Sequence, residues 1–181
     1  MVHEKKPEVK KFIHLSISFF DMVLGPRHIL TVPGDLTNKK NHFVSQFFDF
    51  HQNGDFFMHV FEDYLSFNHL FSTKMHSDHL RGGKRLLMLT ASIPLTVMRR
   101  KDLLQYFPSL KQLFMDWTYN FDRNPELSSS IQDGKKIVIE QEVFKPLIHE
   151  LNLYLTELEF IIQIAVPDTV QIPADFIAPN S

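Results

Sequence analysis

The residues from Phe12 to Pro33 constrain the fold more than any other stretch. They hold two β-rich runs, with Phe12, Leu15, Ile17 and Phe19 in the first and Ile29, Leu30 and Val32 in the second, separated by Gly25-Pro26. Branched and aromatic side chains suit a pleated, half-buried surface, and a Gly-Pro pair supplies turn geometry while removing a backbone donor. The stretch predicts an N-terminal hairpin, antiparallel because the connection is too short for a crossover.

Pro33-Gly34-Asp35 ends the second run. Asp35 or Thr37 then caps a helix on which Leu36, Phe43, Val44, Phe47, Phe48 and Phe50 recur at three- and four-residue steps, ending near Asn53-Gly54. The pattern changes after Asp55: 56–61 and 64–71 read as strands around a tight Glu62-Asp63 connection. The continuously apolar run 86–93 predicts a central strand buried on both faces. Beyond it, Leu103, Phe107, Leu110, Phe114, Trp117 and Phe121 fall on one helical stripe, with Pro108 inside it predicting a kink, or a break with a new helix starting there. Residues 122–130 read as a solvent loop. A last helix carries Ile139, Val143, Leu147, Leu151, Tyr154 and Leu158, with Pro146 as a second kink candidate. Residues 160–166 suggest a short closing strand. The expected boundaries are an N-terminal extension at 1–11, one domain at 12–166 and a C-terminal tail at 167–181.

A net charge of -2 gives no global pull toward nucleic acid or an anionic membrane, and the absence of cysteine excludes disulfides, a thiol nucleophile and Cys-based zinc sites. The polar N-terminus does not read as a signal peptide and no apolar run reaches the ~20 residues of a membrane span, so a soluble, cytoplasmic protein is expected. Eighteen Phe against one Trp and four Tyr point to an aromatic core or a partner-binding face. The cluster Phe43, Phe47, Phe48, Phe50, Phe56 and Phe57 reads first as core, with an exposed groove or dimer face as the alternative.

Chemistry-bearing motifs are sparse. His76-Ser77-Asp78-His79 with His69 offers imidazole and carboxylate groups, but its spacing differs from the His-Glu-x-x-His metal signature, and surface-loop histidines are the simpler reading. Ser16, Ser18, Ser45, Ser66 and Ser92 lie in no Gly-x-Ser-x-Gly elbow, and Glu62-Asp63 and Glu140 with Glu142 read as solvated charges. Arg81-Gly82-Gly83-Lys84-Arg85 lacks the phosphate-loop pattern; on its own residues it is a turn whose glycines supply positive φ. No cofactor, metal or nucleotide is expected.

The element order β-β-α-β-β-β-α-α describes an α+β domain: a five-stranded, antiparallel-rich sheet with one helix on one face and two on the other. That order resembles the longin fold. Ser18-Phe19-Phe20-Asp21, Leu24-Gly25-Pro26-Arg27 and Leu30-Thr31-Val32-Pro33 resemble the opening of longin domains in nitrogen-permease-regulator-like proteins, and similar openings occur in longin-type proteins of Asgard archaea. The resemblance implies a protein-interaction module in a small-GTPase regulatory or vesicle-trafficking complex. Its implied partner is a Rag- or Arf-like GTPase or another longin- or roadblock-type protein. It also implies an enzymatic alternative, because in these relatives and in folliculin the corresponding loop carries an arginine that promotes GTP hydrolysis. Arg81 or Arg85 is the candidate catalytic finger here, an effect on the order of 10³ to 10⁵ in rate. A structural homodimer, built through the first helix or a sheet edge, is a third reading.

Overall fold

The computed structural model describes residues 13–21, 25–33, 47–61, 63–74, 83–95, 100–125, 127 and 141–165. Five strands, β1 (His14–Asp21), β2 (Gly25–Val32), β3 (Phe56–Phe61), β4 (Tyr64–Lys74) and β5 (Lys84–Pro94), form one sheet in the order β2-β1-β5-β4-β3. All neighbouring pairs are antiparallel. The hairpin forms as expected, Leu15 opposite Val32 and Ile17 opposite Leu30. Gly25-Pro26, however, is not its turn: both residues lie inside β2, opposite Asp21 and Phe20. An edge strand accommodates this, since a residue without an N–H is tolerated where the sheet ends, and Gly25 adopts φ +73° at no steric cost. Ile29 is the extra residue of a bulge, because Ile17 pairs with Leu30 and Ser18 with His28.

β5 is the central strand that its apolar run predicts, and it is buried from Leu87 to Pro94. Leu87, Leu89, Ala91 and Ile93 join Leu15, Ile17, Phe19, Leu65, Phe67 and Phe71 on one apolar face. Two helices cover it: α1 (Arg100–Arg123) over β4, and α2 (Gln141–Ala165) over β1 and β2. The stripe on α1 packs inward as its spacing requires, with Leu110, Phe114, Trp117 and Phe121 buried. Trp117 stands edge-on to Phe71 at 6.1 Å and lies 6.0 Å from Tyr154 of α2 between ring centres. The Thr73 hydroxyl donates to Asp122 Oδ1 at 3.0 Å, tying the end of α1 to β4.

The other face is divided. At one end, helical residues Phe47 and Phe48 pack on Leu70, Met88, Phe20 and Phe57; the expected first helix is helical from 47 to 50 and ends there rather than near Asn53-Gly54, and its part before Phe47 lies outside the described residues. At the other end Ser16, Thr31, Ser66, Asn68, Thr90 and Ser92 are all buried. A hydrogen-bonded chain crosses three strands there. Thr90 Oγ1 donates to Asn68 Oδ1 (2.9 Å), Asn68 Nδ2 to Ser66 Oγ (3.0 Å), and Ser66 Oγ to the His59 carbonyl (3.2 Å). Buried polar groups cost free energy unless bonded, which is why these residues sit in register with one another.

Several local expectations are corrected. The helix does not break and restart at Pro108: α1 runs 24 residues through it, and α2 likewise runs 25 residues through Pro146. Packing of Leu110, Phe114 and Trp117 beyond the first proline offsets the ~3 kcal/mol that a helix-interior proline costs. The 122–130 segment is not solvent loop throughout. α1 reaches Arg123, and Asn124 Oδ1 then accepts the Leu127 N–H at 3.4 Å, an N-cap followed by proline at the first helical position. Leu127 enters the core at 3% exposure. No strand closes the chain at 160–165, because α2 continues to Ala165, carried by the three- and four-residue steps Tyr154, Leu158 and Ile161. Phe50, read as part of an apolar helical face, is 80% exposed.

Two stability outcomes follow from the helix pair. Trp117→Ala should destabilise by about 3 to 5 kcal/mol in a urea melt followed by far-ultraviolet circular dichroism. The buried Tyr154 hydroxyl has no hydrogen-bond partner among the described residues, and burial, aided by the charges of Glu157 and Asp116, pushes its pKa far up. Tyr154→Phe removes that unpaired group and should raise the urea midpoint, by about 1 kcal/mol in stability.

Candidate interaction site

The segment leading into β3 is fixed from both sides of the sheet. Gly54 sits at φ +93°, where other residues are strained, in a turn closed by the Asp55 N–H donating to the Gln52 carbonyl at 3.0 Å. The Asp55 carboxylate accepts the Gln52 N–H at 2.8 Å and lies 3.5 Å from His51 Nδ1. His51 stacks on Phe57 with ring centres 3.5 Å apart, and Phe47 meets His59 edge-on at 4.7 Å. On the opposite face Phe56 contacts Phe107 and Phe114 of α1 at 5.0 and 5.1 Å. β3 is therefore packed against α1 through Phe56 at the border of the sheet.

Between that border and α1 runs an open groove of about 520 Å³, lined by Asn53, Gly54, His69, Phe71, Met115 and Tyr119 among others. Leu104, Met115 and Tyr119 are 56%, 37% and 55% exposed. Their spacing places them along one side of the helix, and the groove puts that side toward β3. The Arg123 guanidinium lies 4.0 Å over the Tyr119 ring, so the stripe ends in a cation stacked on an aromatic face.

His69, weighed as a member of a surface histidine set, is instead a buried residue of β4 at 4% exposure. Its Nδ1 lies 3.1 Å from the Asp55 carbonyl, which can only accept, so Nδ1 carries the proton and Nε2 is left as the acceptor. Burial lowers its pKa most, the bond to the Asp55 carbonyl opposes this, Lys111 lowers it further and the Asp55 charge raises it. His76, Asp78 and His79 lie outside the described residues. Among the described residues no three His, Asp or Glu side chains converge as a metal site, and no helix is long and apolar enough to cross a membrane.

Of the two candidate arginines, Arg81 lies outside the described residues, while Gly83, two positions on, has φ +59° as expected of that loop. Arg85 is the second residue of β5, opposite Thr73, 8% exposed, with its guanidinium 4.8 Å over the Phe19 ring. Burial lowers its pKa and the nearby Asp21 charge raises it. Arg85 thus packs against the helix-covered face of the sheet rather than projecting from a loop. The buried polar chain went unread in the sequence, although Ser66-Asn68 and Thr90-Ser92 signal it by their period of two.

A lowered folded pKa makes the unfolded chain the better proton acceptor at His69, so stability should fall as pH drops below the ordinary value near 6.5. His69→Asn, which keeps a donor toward the Asp55 carbonyl, should show a shallower loss between pH 7 and pH 5 in parallel urea melts. Equal slopes would remove His69 from the pH response.

Comparison with known proteins finds no family model and no curated protein that matches this chain.

Proposed function

We propose that the chain is a longin-like protein-interaction module, cytoplasmic and without an enzymatic site of its own, acting in a small-GTPase regulatory or membrane-trafficking complex. The observation that carries the interaction reading is the β3 border, which among the described residues pairs with no strand beyond β4 and is flanked by exposed apolar side chains of α1. Exposed apolar side chains beside an open groove are a feature of interaction sites on soluble domains. The longin assignment is supported by the strand order β2-β1-β5-β4-β3 with helical residues on both faces, and the GTPase class by the resemblance of the opening hairpin.

Calorimetric titration of purified Rag- and Arf-like GTPases from the same cell, loaded with GDP or a GTP analogue, tests this reading. A micromolar complex with one nucleotide state is the expected result; no binding by any of them overturns the GTPase assignment. Single-turnover hydrolysis with the same proteins tests the enzymatic alternative through Arg81 and Arg85. Loss of acceleration in Arg81→Lys with an unchanged melting midpoint would identify a finger. Arg85→Lys should lower that midpoint, because the guanidinium packs on Phe19.

A further inference from the structure

We propose that the groove between α1 and the turn preceding β3 takes a tyrosine side chain of a partner protein, its phenol O–H donating to His69 Nε2. This occupant rests on the interaction-module reading, to which it gives a residue class.

On the face of β4 turned to α1, alternation places Leu65, Phe67, His69 and Phe71 in one row, apolar side chains interrupted by one imidazole. His69 is 4% exposed. Its Nδ1 is bonded to the Asp55 carbonyl at 3.1 Å, while Nε2 has no hydrogen-bond partner among the described residues. Burial holds the ring neutral near pH 7, so Nε2 is an acceptor to which no protein group donates. Such an atom costs free energy when it is sealed into a core. Here it is not sealed: His69 lines the groove, and what remains accessible of the residue opens onto it.

The other surfaces of the groove select the donor. Phe71, Met115 and Tyr119 supply two rings and a thioether, which favour an aromatic body. Beside Gly54 the space is open, since a Cβ there would meet nothing within 4 Å. Asp122 and Arg123 at the rim offset each other, and Lys111 acts on the imidazole more strongly than Asp55 does, so a neutral hydroxyl suits the site better than an ammonium or guanidinium. A recessed acceptor is reached by a donor at the tip of a slim body. Phenol carries its O–H on the ring axis, whereas the indole N–H lies on the ring's flank. An open groove of about 520 Å³ does not enclose a small molecule as ligand pockets do, so the ring belongs to a larger partner that also covers the exposed Met115 and Tyr119. Tyrosine is among the side chains that most often anchor protein interfaces.

The test titrates N-acetyl-tyrosine amide into the purified full chain carrying isotopically labelled histidine, followed by nuclear magnetic resonance. The probe should bind saturably at millimolar concentration, the range expected for a ligand of its size, and should shift the unprotonated His69 nitrogen. N-acetyl-phenylalanine amide, which lacks only the O–H, should bind about fivefold more weakly. His69→Phe, verified as folded by circular dichroism, should abolish that preference, and Met115→Lys, at an exposed position, should abolish binding of both probes. If His69→Phe does not fold, the probe pair on the unaltered chain and Met115→Lys decide. No saturation, equal affinity for the two probes, or binding that leaves Nε2 unshifted would mean that water alone meets the acceptor, and overturns the proposal. Tighter binding of N-acetyl-tryptophan amide overturns the choice of tyrosine, and tighter binding of free tyrosine overturns the choice of a protein partner. No GTPase is present, so failure here strikes the groove alone and leaves the GTPase titration to decide the other reading. A chain that takes the probe and binds no GTPase keeps this site and loses the GTPase assignment.

Discussion

Every other element takes its place from β5, which pairs with β1 from Leu87 to Ser92 on one side and with β4 from Lys84 to Pro94 on the other. From Leu87 to Pro94 it is shielded from water, so each side chain there has to be apolar or hydrogen-bonded. Leu87, Leu89, Ala91 and Ile93 meet this on the helix-covered face. On the other face Met88 joins the cluster with Phe47 and Phe48, and the Thr90 hydroxyl donates a hydrogen bond to Asn68 Oδ1. The small Ala91 lies opposite both Leu15 and Phe67, leaving room for larger neighbours in a layer that α1 and α2 must close.

This constraint explains what the sequence revealed. Long apolar signals were legible because burial forces them: the run in β5, the stripe on α1 and the paired runs of the hairpin all appear where periodicity places them. Local punctuation was less legible. Gly25-Pro26 carries the chemistry of a turn, yet an edge strand tolerates the same pair, and nothing local distinguishes the two. Asn124-Pro125 reads as a loop signal in the same way, although asparagine before proline is also a helix start, and only the burial of Leu127 decides it. Isoleucine-rich residues after Phe160 favour a strand by propensity, but a helix already propagating adds each residue at little cost.

The chemically suggestive side chains show the same limit. Arg85 and His69 stood out for charge and titration, and both are buried, one over Phe19 and one against the Asp55 carbonyl. For Arg85 the magnitudes bear on a finger role. Leaving its aromatic contact costs on the order of 0.5 to 2 kcal/mol. An arginine that accelerates hydrolysis by 10³ to 10⁵ supplies roughly 4 to 7 kcal/mol in the transition state. Packing alone therefore does not forbid the movement; the discriminating quantity is whether the start of β5 reaches a partner's phosphate, and that depends on docking.

The candidate surface was legible only in halves. That Phe56–Phe61 is a strand could be read from its residues, but that it ends the sheet follows from the order β2-β1-β5-β4-β3, a long-range fact that no local pattern carries. Once the order is known, the composition gains meaning. The same uncharged stretch in a central position would be ordinary core, as in β5, whereas at a border it has no further strand beside it among the described residues and lies next to exposed side chains of α1. Because β2 at the opposite border is interrupted by proline and a bulge, a uniform tolerance for open edges does not account for β3.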